Sequence, residues 1–272
     1  MKRRHFILPD RQVKRNVPLD YNRWLGYAIR DYRPHRLIDL GDDGDFPSLS
    51  SYSSALEKEG ARLKDDIDVI NYADELLFES MGDFRPDSMD KMMGNHNERL
   101  CRFLNEHPVL QGLIGFDLFN HKQLGWNFHP YFHGTPSIIE LDGLSYAHYF
   151  ANVNTGKAIG GTAHYKLAAI GTPFVQGHVQ GYDIGTKQFA TGRTIRGVVV
   201  GSCYLHDEDF KGHANTHFRG ALVLNEVERG NFLEMPLSMD YLCRKYEGMS
   251  VARFLQRKYK NAKQRFSLAR AS

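Results

Sequence analysis

Short apolar runs alternate with helical patterns in the first half of this chain, and this alternation constrains the fold most. Apolar runs at residues 5–9, 36–40 and 91–93 are typical of buried strands, since each ends at a proline or a glycine. Helical spacing of apolar residues covers residues 19–32, 54–79 and 96–106, which lie between or after these runs. Strand, helix and strand in succession predict an α/β fold built in layers.

The second half changes to strand-like runs that glycine and proline separate, with one helical stretch at residues 160–169. The predicted strands are residues 126–132, 137–141, 143–150, 172–177, 182–189, 194–201 and 220–227. No linker is long enough to separate two domains. We therefore predict one catalytic-size domain over residues 1–250, followed by a basic amphipathic helix over residues 251–272.

The charge of the chain is divided unevenly, although its net value is only +3. Residues 251–272 contain seven of the 35 basic residues and none of the 32 acidic ones. The near balance excludes a histone-like protein. The basic segment is compatible with a helix packed on the body, with a handle for nucleic acid or another acidic partner, or with docking on a membrane surface.

The remaining composition excludes several classes of protein. Three scattered cysteines are too few for a disulfide framework or a four-thiolate zinc site. No apolar run approaches the roughly 18 residues of a membrane span, and the N-terminus has no apolar signal-peptide segment. We expect a cytoplasmic protein that does not enter a membrane.

Polar residues follow five of the predicted strands, where open α/β sheets commonly form their binding sites. In chain order they read Asp-x-Gln at 10–12, Gly-Asp-x-x-Asp at 41–45, Gly-Asn-His-Asn at 94–97, a histidine at 148 and Gly-His-x-Gln at 177–180. Carboxylates, amide oxygens and imidazoles together suit Mn²⁺, Fe²⁺ or Zn²⁺. One carboxylate can also bridge two ions, as phosphoryl-transfer sites require.

This order of motifs resembles the calcineurin-like metallophosphoesterase family. The resemblance runs from residue 10 to residue 180, and Gly201-Ser202 resembles a further Gly-Ser of that family. Pro9-Asp10-Arg11-Gln12-Val13-Lys14 and Pro47-Ser48-Leu49-Ser50-Ser51-Tyr52 resemble a bacteriophage-encoded branch, which would place the protein in the cytoplasm of the host. The fold that this implies is a metallophosphoesterase-like β-sandwich flanked by helices.

The resemblance implies one or two divalent metal ions, and it implies a role for each motif residue. We call the two expected sites the first and second metal positions. Asp42 would bridge both, and His96 would act at the scissile bond as the catalytic residue. The first position would be held by Asp10, Gln12 and Gln180, and the second by Asn95, His148 and His178. His164 is a rival to His148 as ligand.

Three residues depart from the family pattern. Gln12 and Gln180 stand where the family has histidine ligands, and both fall on the first metal position. An amide oxygen is a harder and weaker donor than imidazole, so we expect this position to bind loosely, or to prefer Mn²⁺ or Mg²⁺ to Zn²⁺. Asn97 replaces the acid expected to orient His96, a task that Glu98 or Asp45 could take over.

Several further residues are candidates for substrate contact. The segment 206–217 reads as a loop beside the cleft that brings His206 or His217 near the phosphate, with Arg219 and Arg11 as further contacts. The spacing of His213 and His217 leaves a separate zinc site as the alternative.

The function that these expectations support is hydrolysis of a phosphate ester through a metal-activated hydroxide, with Mn²⁺ as the first choice of ion. The expected substrate is a phosphodiester of DNA or a nucleotide. The alternatives are a phosphomonoesterase acting on protein or small molecules, and a non-catalytic metal- or nucleic-acid-binding module on the same fold.

Overall fold

Two β-sheets packed face to face form the centre of the protein. A computed structural model of the chain describes residues 1–51, 58–208 and 215–260. Eleven strands and six α-helices lie in these ranges. The strands are β1 Arg3–Leu8, β2 Arg36–Asp39, β3 Ser88–Met92, β4 Asn127–His129, β5 Ile139–Leu141, β6 Leu144–Ala147, β7 Phe174–Gln176, β8 Asp183–Gln188, β9 Thr194–Val199, β10 Gly220–Glu228 and β11 Asn231–Ser238. The helices are α1 Tyr21–Tyr32, α2 Leu63–Met81, α3 Glu98–Glu106, α4 Ala163–Ile170, α5 Met239–Glu247 and α6 Val251–Lys258.

The strand order explains why the motifs can meet. The first sheet has the order β11-β10-β1-β2-β3-β4, and the second has the order β5-β6-β7-β9-β8. Strands β1 to β4 run parallel to one another, as do β6, β7 and β9. A backbone bridge between Asp10 and Ser202 joins the segments that follow β1 and β9. The carboxyl ends of the central strands of both sheets therefore lie at one edge of the sandwich.

Side-chain alternation along the strands builds the layers. Ile7 and Ile38 of the first sheet pack against Tyr146 and Val198 of the second. Phe6 points to the opposite side, into the cluster that includes helices α1 and α2. Helix α4 covers the outer face of the second sheet. This arrangement confirms the predicted layered α/β fold, with two sheets between helices.

One helical prediction needs correction. The long helix predicted over residues 54–79 is interrupted between Lys58 and Leu63, where Gly60 takes a φ of 73° and Arg62 is extended, and α2 begins at Leu63. A left-handed glycine interrupts helical hydrogen bonding, which the periodicity of apolar residues does not reveal. Residues 52–57 of that region lie outside the described ranges. None of the described helices is both long and apolar enough to cross a membrane.

Strand β11 and helix α5 were not predicted. Pro236 lies within β11, and a proline inside a run argues against a central strand. The strand tolerates Pro236 because β11 is the edge strand of its sheet and pairs with β10 alone. Sequence pattern could not indicate which strand is at the edge.

Helix α6 packs on the body of the protein at the point where the basic segment was predicted to begin. Val251, Phe254 and Leu255 are buried, and the Phe254 ring meets the Trp24 ring edge-on at 5.1 Å. Helix α6 ends at Lys258, and residues 261–272 lie outside the described ranges, so the rest of the basic amphipathic helix predicted over residues 251–272 stays a prediction.

Replacing Phe254 with alanine should lower the free energy of unfolding by about 3 kcal/mol, because a buried aromatic ring leaves a cavity. Phe132→Ala is the matched control, since Phe132 is 67% exposed, and it should change stability by less than about 0.5 kcal/mol. Urea unfolding measures both. Equal stability of the two variants would show that α6 is not part of the folded body.

Candidate metal centre

Four side chains that follow four different strands converge on one point. Asp42 follows β2, Asn95 follows β3, His148 follows β6 and His178 follows β7. Asn95 Oδ1 lies 2.9 Å from His148 Nε2 and 2.7 Å from His178 Nδ1, and Asp42 Oδ2 lies 3.3 Å from His148 Nε2. Ligand atoms of Asp42, His148 and His178 all lie within 4.8 Å of one another, so this group could hold a metal ion.

The hydrogen bonding of His148 suits a ligand. Its Nδ1 donates to the backbone oxygen of Leu40 over 2.9 Å, which in the neutral ring leaves the Nε2 lone pair for the centre. Burial alone would lower the pKa of His148, but Asp42 and Asp10 outweigh it and raise that pKa to about 9. Burial and the charge of His148 lower the pKa of His178 to about 4. The carboxylates thus draw positive charge to this point, which a metal could supply in place of a proton.

Two glycines allow the motif loops to approach this closely. A Cβ on Gly94 would lie 2.1 Å from Asp42 Oδ1, and a Cβ on Gly177 would lie 2.7 Å from Asp10 Oδ1. Asp42 and His178 themselves take left-handed φ values of 52° and 64°, which costs energy for residues with side chains. Backbone strain at two prospective ligands points to a functional site.

The first metal position contains two buried oxygens without hydrogen-bond donors among the described residues. These are Asp10 Oδ2 and Gln12 Oε1, while Asp10 Oδ1 accepts from the His178 backbone N–H over 3.0 Å. Burial raises the pKa of Asp10 to about 6. Orphaned buried oxygens are costly, and a cation would satisfy both. Gln180 Oε1 already accepts from the Tyr204 hydroxyl over 2.6 Å.

His96 lies beside Asp42, with its ring fixed by Asp45. Its Nδ1 lies 2.8 Å from Asp45 Oδ1, and its Nε2 lies 3.9 Å from Asp42 Oδ2. Burial would lower the pKa of His96, but Asp42 and Asp45 together raise it. Asp45 and Glu98 were the two candidates for orienting His96. Asp45 contacts the His96 ring, whereas Glu98 pairs with Arg102.

Asn97 ties the loop after β3 to the loop after β2. Its Oδ1 accepts from the backbone N–H groups of Asp42 and Gly94, each over 3.0 Å, and its Nδ2 donates to Asp43 Oδ1 over 2.6 Å. Asn97 therefore positions the loops that carry the candidate metal ligands and does not orient the His96 ring.

Two side chains predicted to contact substrate are buried in the structure, Arg11 and Arg219. Arg11 is fully buried and donates to Asp39 over 3.1 Å and to Asp74 over 2.6 Å, so it offers no surface to a substrate. Arg219 is 4% exposed and donates to the backbone oxygens of His206 and Asn215 over 2.6 and 2.9 Å. Both guanidinium groups serve the interior of the protein.

The other histidines that the sequence analysis named lie in different surroundings. His206, predicted to contact substrate, is fully buried, and its Nε2 lies 2.8 Å from Glu208 Oε1. His217 is half-buried, and its Nε2 lies 2.8 Å from Ser202 Oγ, next to the first metal position. His164 is exposed and bonds to the Thr186 backbone oxygen, so His148 and not His164 lies at the centre. His213 lies outside the described ranges.

A buried ion cluster lies beneath the loop after β2, and no sequence motif indicated it. Lys91 Nζ is 2.8 Å from Asp43 Oδ2, 3.1 Å from Asp74 Oδ2 and 3.4 Å from Asp39 Oδ2. The members of the cluster are Arg11, Asp39, Asp43, Asp74, Lys91 and His121. Asp43, Asp74 and His121 have the geometry of a second possible metal group, but the Lys91 ammonium already lies between the two carboxylates.

Comparison of the sequence with known protein families and with curated proteins gives no match. Any assignment of function therefore depends on the motifs and on the geometry of the centre.

Adding a methyl group at Gly94 should weaken metal binding, because it forces Asp42 out of position. We expect Gly94→Ala to reduce affinity for Mn²⁺ by about tenfold or more, which equals about 1.4 kcal/mol. Gly160→Ala is the control, since nothing lies within 4 Å of a Cβ there. Equilibrium dialysis gives both affinities, and equal binding by the two variants would argue against a centre at Asp42.

Removing the Lys91 charge should destabilise the fold, because three buried carboxylates would then face Arg11 and the His121 ring without the lysine ammonium. Lys91→Met should lower the free energy of unfolding by about 3–5 kcal/mol. Lys64→Met removes an exposed lysine from an i,i+4 pair and should cost less than about 0.5 kcal/mol. Chemical unfolding at pH 7 compares the two, and a stable Lys91→Met protein would contradict the role given to the buried ion cluster.

Proposed function

We propose that this protein is a metal-dependent phosphoesterase of the calcineurin-like type and that its substrate is a phosphodiester of DNA or of a nucleotide. The observation that carries the proposal is the convergence of Asp42, Asn95, His148 and His178 beside a histidine that a carboxylate holds in place. A buried site of this composition is suited to divalent-metal chemistry.

The donor atoms favour particular ions. The second metal position offers a carboxylate, an amide oxygen and two imidazoles, a set that suits Mn²⁺, Fe²⁺ or Zn²⁺. At the first position, Asp10 and Gln12 offer oxygens only, which favours Mn²⁺ or Mg²⁺. Mn²⁺ is the ion common to both, and we propose it as the cofactor. A bound divalent ion lowers the pKa of a water molecule toward about 7 and offsets the charge of a phosphate group.

The side chains supply the rest of the chemistry. Asp42 is anchored through Oδ1, which accepts the His96 backbone N–H over 2.8 Å, so its Oδ2 stays directed at the centre. Asp45 holds Nδ1 of His96, and Nε2 faces the centre. His96 is thus positioned to donate a proton from Nε2 to the oxygen that leaves phosphorus.

The test for catalysis uses bis-p-nitrophenyl phosphate with added Mn²⁺. His96→Ala should lower kcat by about 10²–10⁴-fold while the bound metal is unchanged, because His96 supplies a proton and not a ligand. His164→Ala should retain full activity, since His164 is exposed and bonds to Thr186. Failure of the wild-type protein to hydrolyse esters with any divalent metal would contradict the proposal and favour a binding module.

Nucleic acid as substrate depends on the basic segment. Deleting residues 261–272 removes Lys263, Arg265 and Arg270 but leaves helix α6 and its packing in place. If these side chains neutralise DNA phosphates, the slope of log affinity for DNA against log salt should fall by about 0.9 for each phosphate that the shortened protein leaves unneutralised. An unchanged slope, with turnover of p-nitrophenyl phosphate exceeding that of the diester, would favour the phosphomonoesterase alternative.

A further inference from the structure

Arg99 brings a guanidinium group to the edge of the metal centre, and the motif resemblance gives this residue no role. It lies in the first turn of α3, three positions after His96. Its Nη1 donates to the Asp45 backbone oxygen over 2.5 Å, and its Nη2 lies 3.4 Å from His96 Nε2. The side chain is 13% exposed. The guanidinium is therefore anchored at one end and reaches the ring nitrogen that faces the centre.

The neighbouring Asp45 carboxylate neutralises the positive charge of Arg99 only in part. The carboxylate that approaches it is Asp45, whose Oδ1 lies 3.7 Å from Nη1. That oxygen is already engaged by the His96 ring at 2.8 Å, and Asp45 Oδ2 accepts from Lys14 Nζ over 3.0 Å. Arg99 forms its hydrogen bond with Asp45 through the neutral backbone carbonyl and not through the carboxylate. The positive charge of the guanidinium is therefore not fully neutralised, and part of it remains at Nη2.

The position of Nη2 indicates what it can bind. His96 Nε2 marks the side of the ring that faces the centre, because it lies 3.9 Å from Asp42 Oδ2. Nη2 donates to His96 Nε2 over a long 3.4 Å, and an anionic oxygen placed beside the two nitrogens could accept from Nη2 in its place. Arginine is well suited to this task because it stays charged and presents its donors in a fixed plane.

We infer that Arg99 binds a non-bridging oxygen of the substrate phosphate next to His96 and is a catalytic residue of the reaction. This inference rests on the proposed function, because it places the scissile phosphate between His96 and the metal ligands. Because Nη1 already donates to the Asp45 carbonyl, Nη2 is the group that contacts the phosphate oxygen. Lysine at this position should therefore replace part of the function.

The experiment compares Arg99→Ala and Arg99→Lys with Arg102→Ala in the Mn²⁺-loaded protein. Arg102 is a matched control, because it lies on the same helix, carries the same charge and pairs at the surface with Glu98. Turnover of bis-p-nitrophenyl phosphate gives kcat and KM, calorimetry gives the affinity for inorganic phosphate, and elemental analysis gives the bound metal. Guanidinium ion is added to the alanine variant to restore the missing group.

Arg99→Ala should lower kcat/KM by about 10²–10³-fold and weaken phosphate binding about tenfold, with the metal content unchanged. Arg99→Lys should recover part of both losses, guanidinium ion should restore activity to Arg99→Ala, and Arg102→Ala should match the wild-type protein. Rescue by guanidinium distinguishes a contact with substrate from damage to the fold, which added guanidinium cannot repair.

Two results would overturn the inference. One is wild-type kcat/KM and phosphate affinity in Arg99→Ala, and the other is a loss that neither lysine nor guanidinium ion reverses. These results leave the proposed function intact if the wild-type protein turns over the ester. A wild-type protein that binds no divalent metal and hydrolyses no ester contradicts the proposed function itself.

Discussion

The Asp43 carboxylate connects the interior of the protein to its candidate site. Its Oδ2 accepts from Lys91 inside the buried ion cluster, and its Oδ1 accepts from Asn97, which in turn holds the backbone at Asp42 and Gly94. Removing one partner from a buried charged group leaves the other unpaired, at a cost of several kcal/mol. Lys91 and Asn97 therefore hold the loop after β2 in place. The strained conformation of Asp42 in this loop depends on these two contacts.

This support gives the centre its shape before any ligand arrives. Asp42 presents one oxygen to the centre because the other is held by the His96 backbone, and His96 presents Nε2 because Asp45 holds Nδ1. Lys14 then links Asp45 to Glu208, which lies on the segment between β9 of the second sheet and β10 of the first. Groups fixed in this way would need little reorganisation to bind a metal or a phosphate.

The sequence was sufficient to predict the layered fold and the residues that meet at the strand ends, because parallel strands bring their carboxyl ends to one edge. It was insufficient where the outcome depends on pairing across the chain. Arg11 follows Asp10 directly, yet its side chain enters the buried ion cluster, whose partners Asp39 and Asp74 come from distant segments. The sequence around Arg99 and Lys91 does not distinguish them from basic residues that are exposed to solvent.

The proposed function requires a cation among Asp42, Asn95, His148 and His178. Anomalous X-ray scattering from crystals grown with Mn²⁺ tests it most directly, because the method locates the ion without reference to activity. We predict a strong anomalous peak within coordination distance of Asp42 Oδ2 and His148 Nε2, with any weaker second peak beside Asp10 and Gln12. No peak at Asp42, or a main peak at Asp43 and Asp74, would contradict the account.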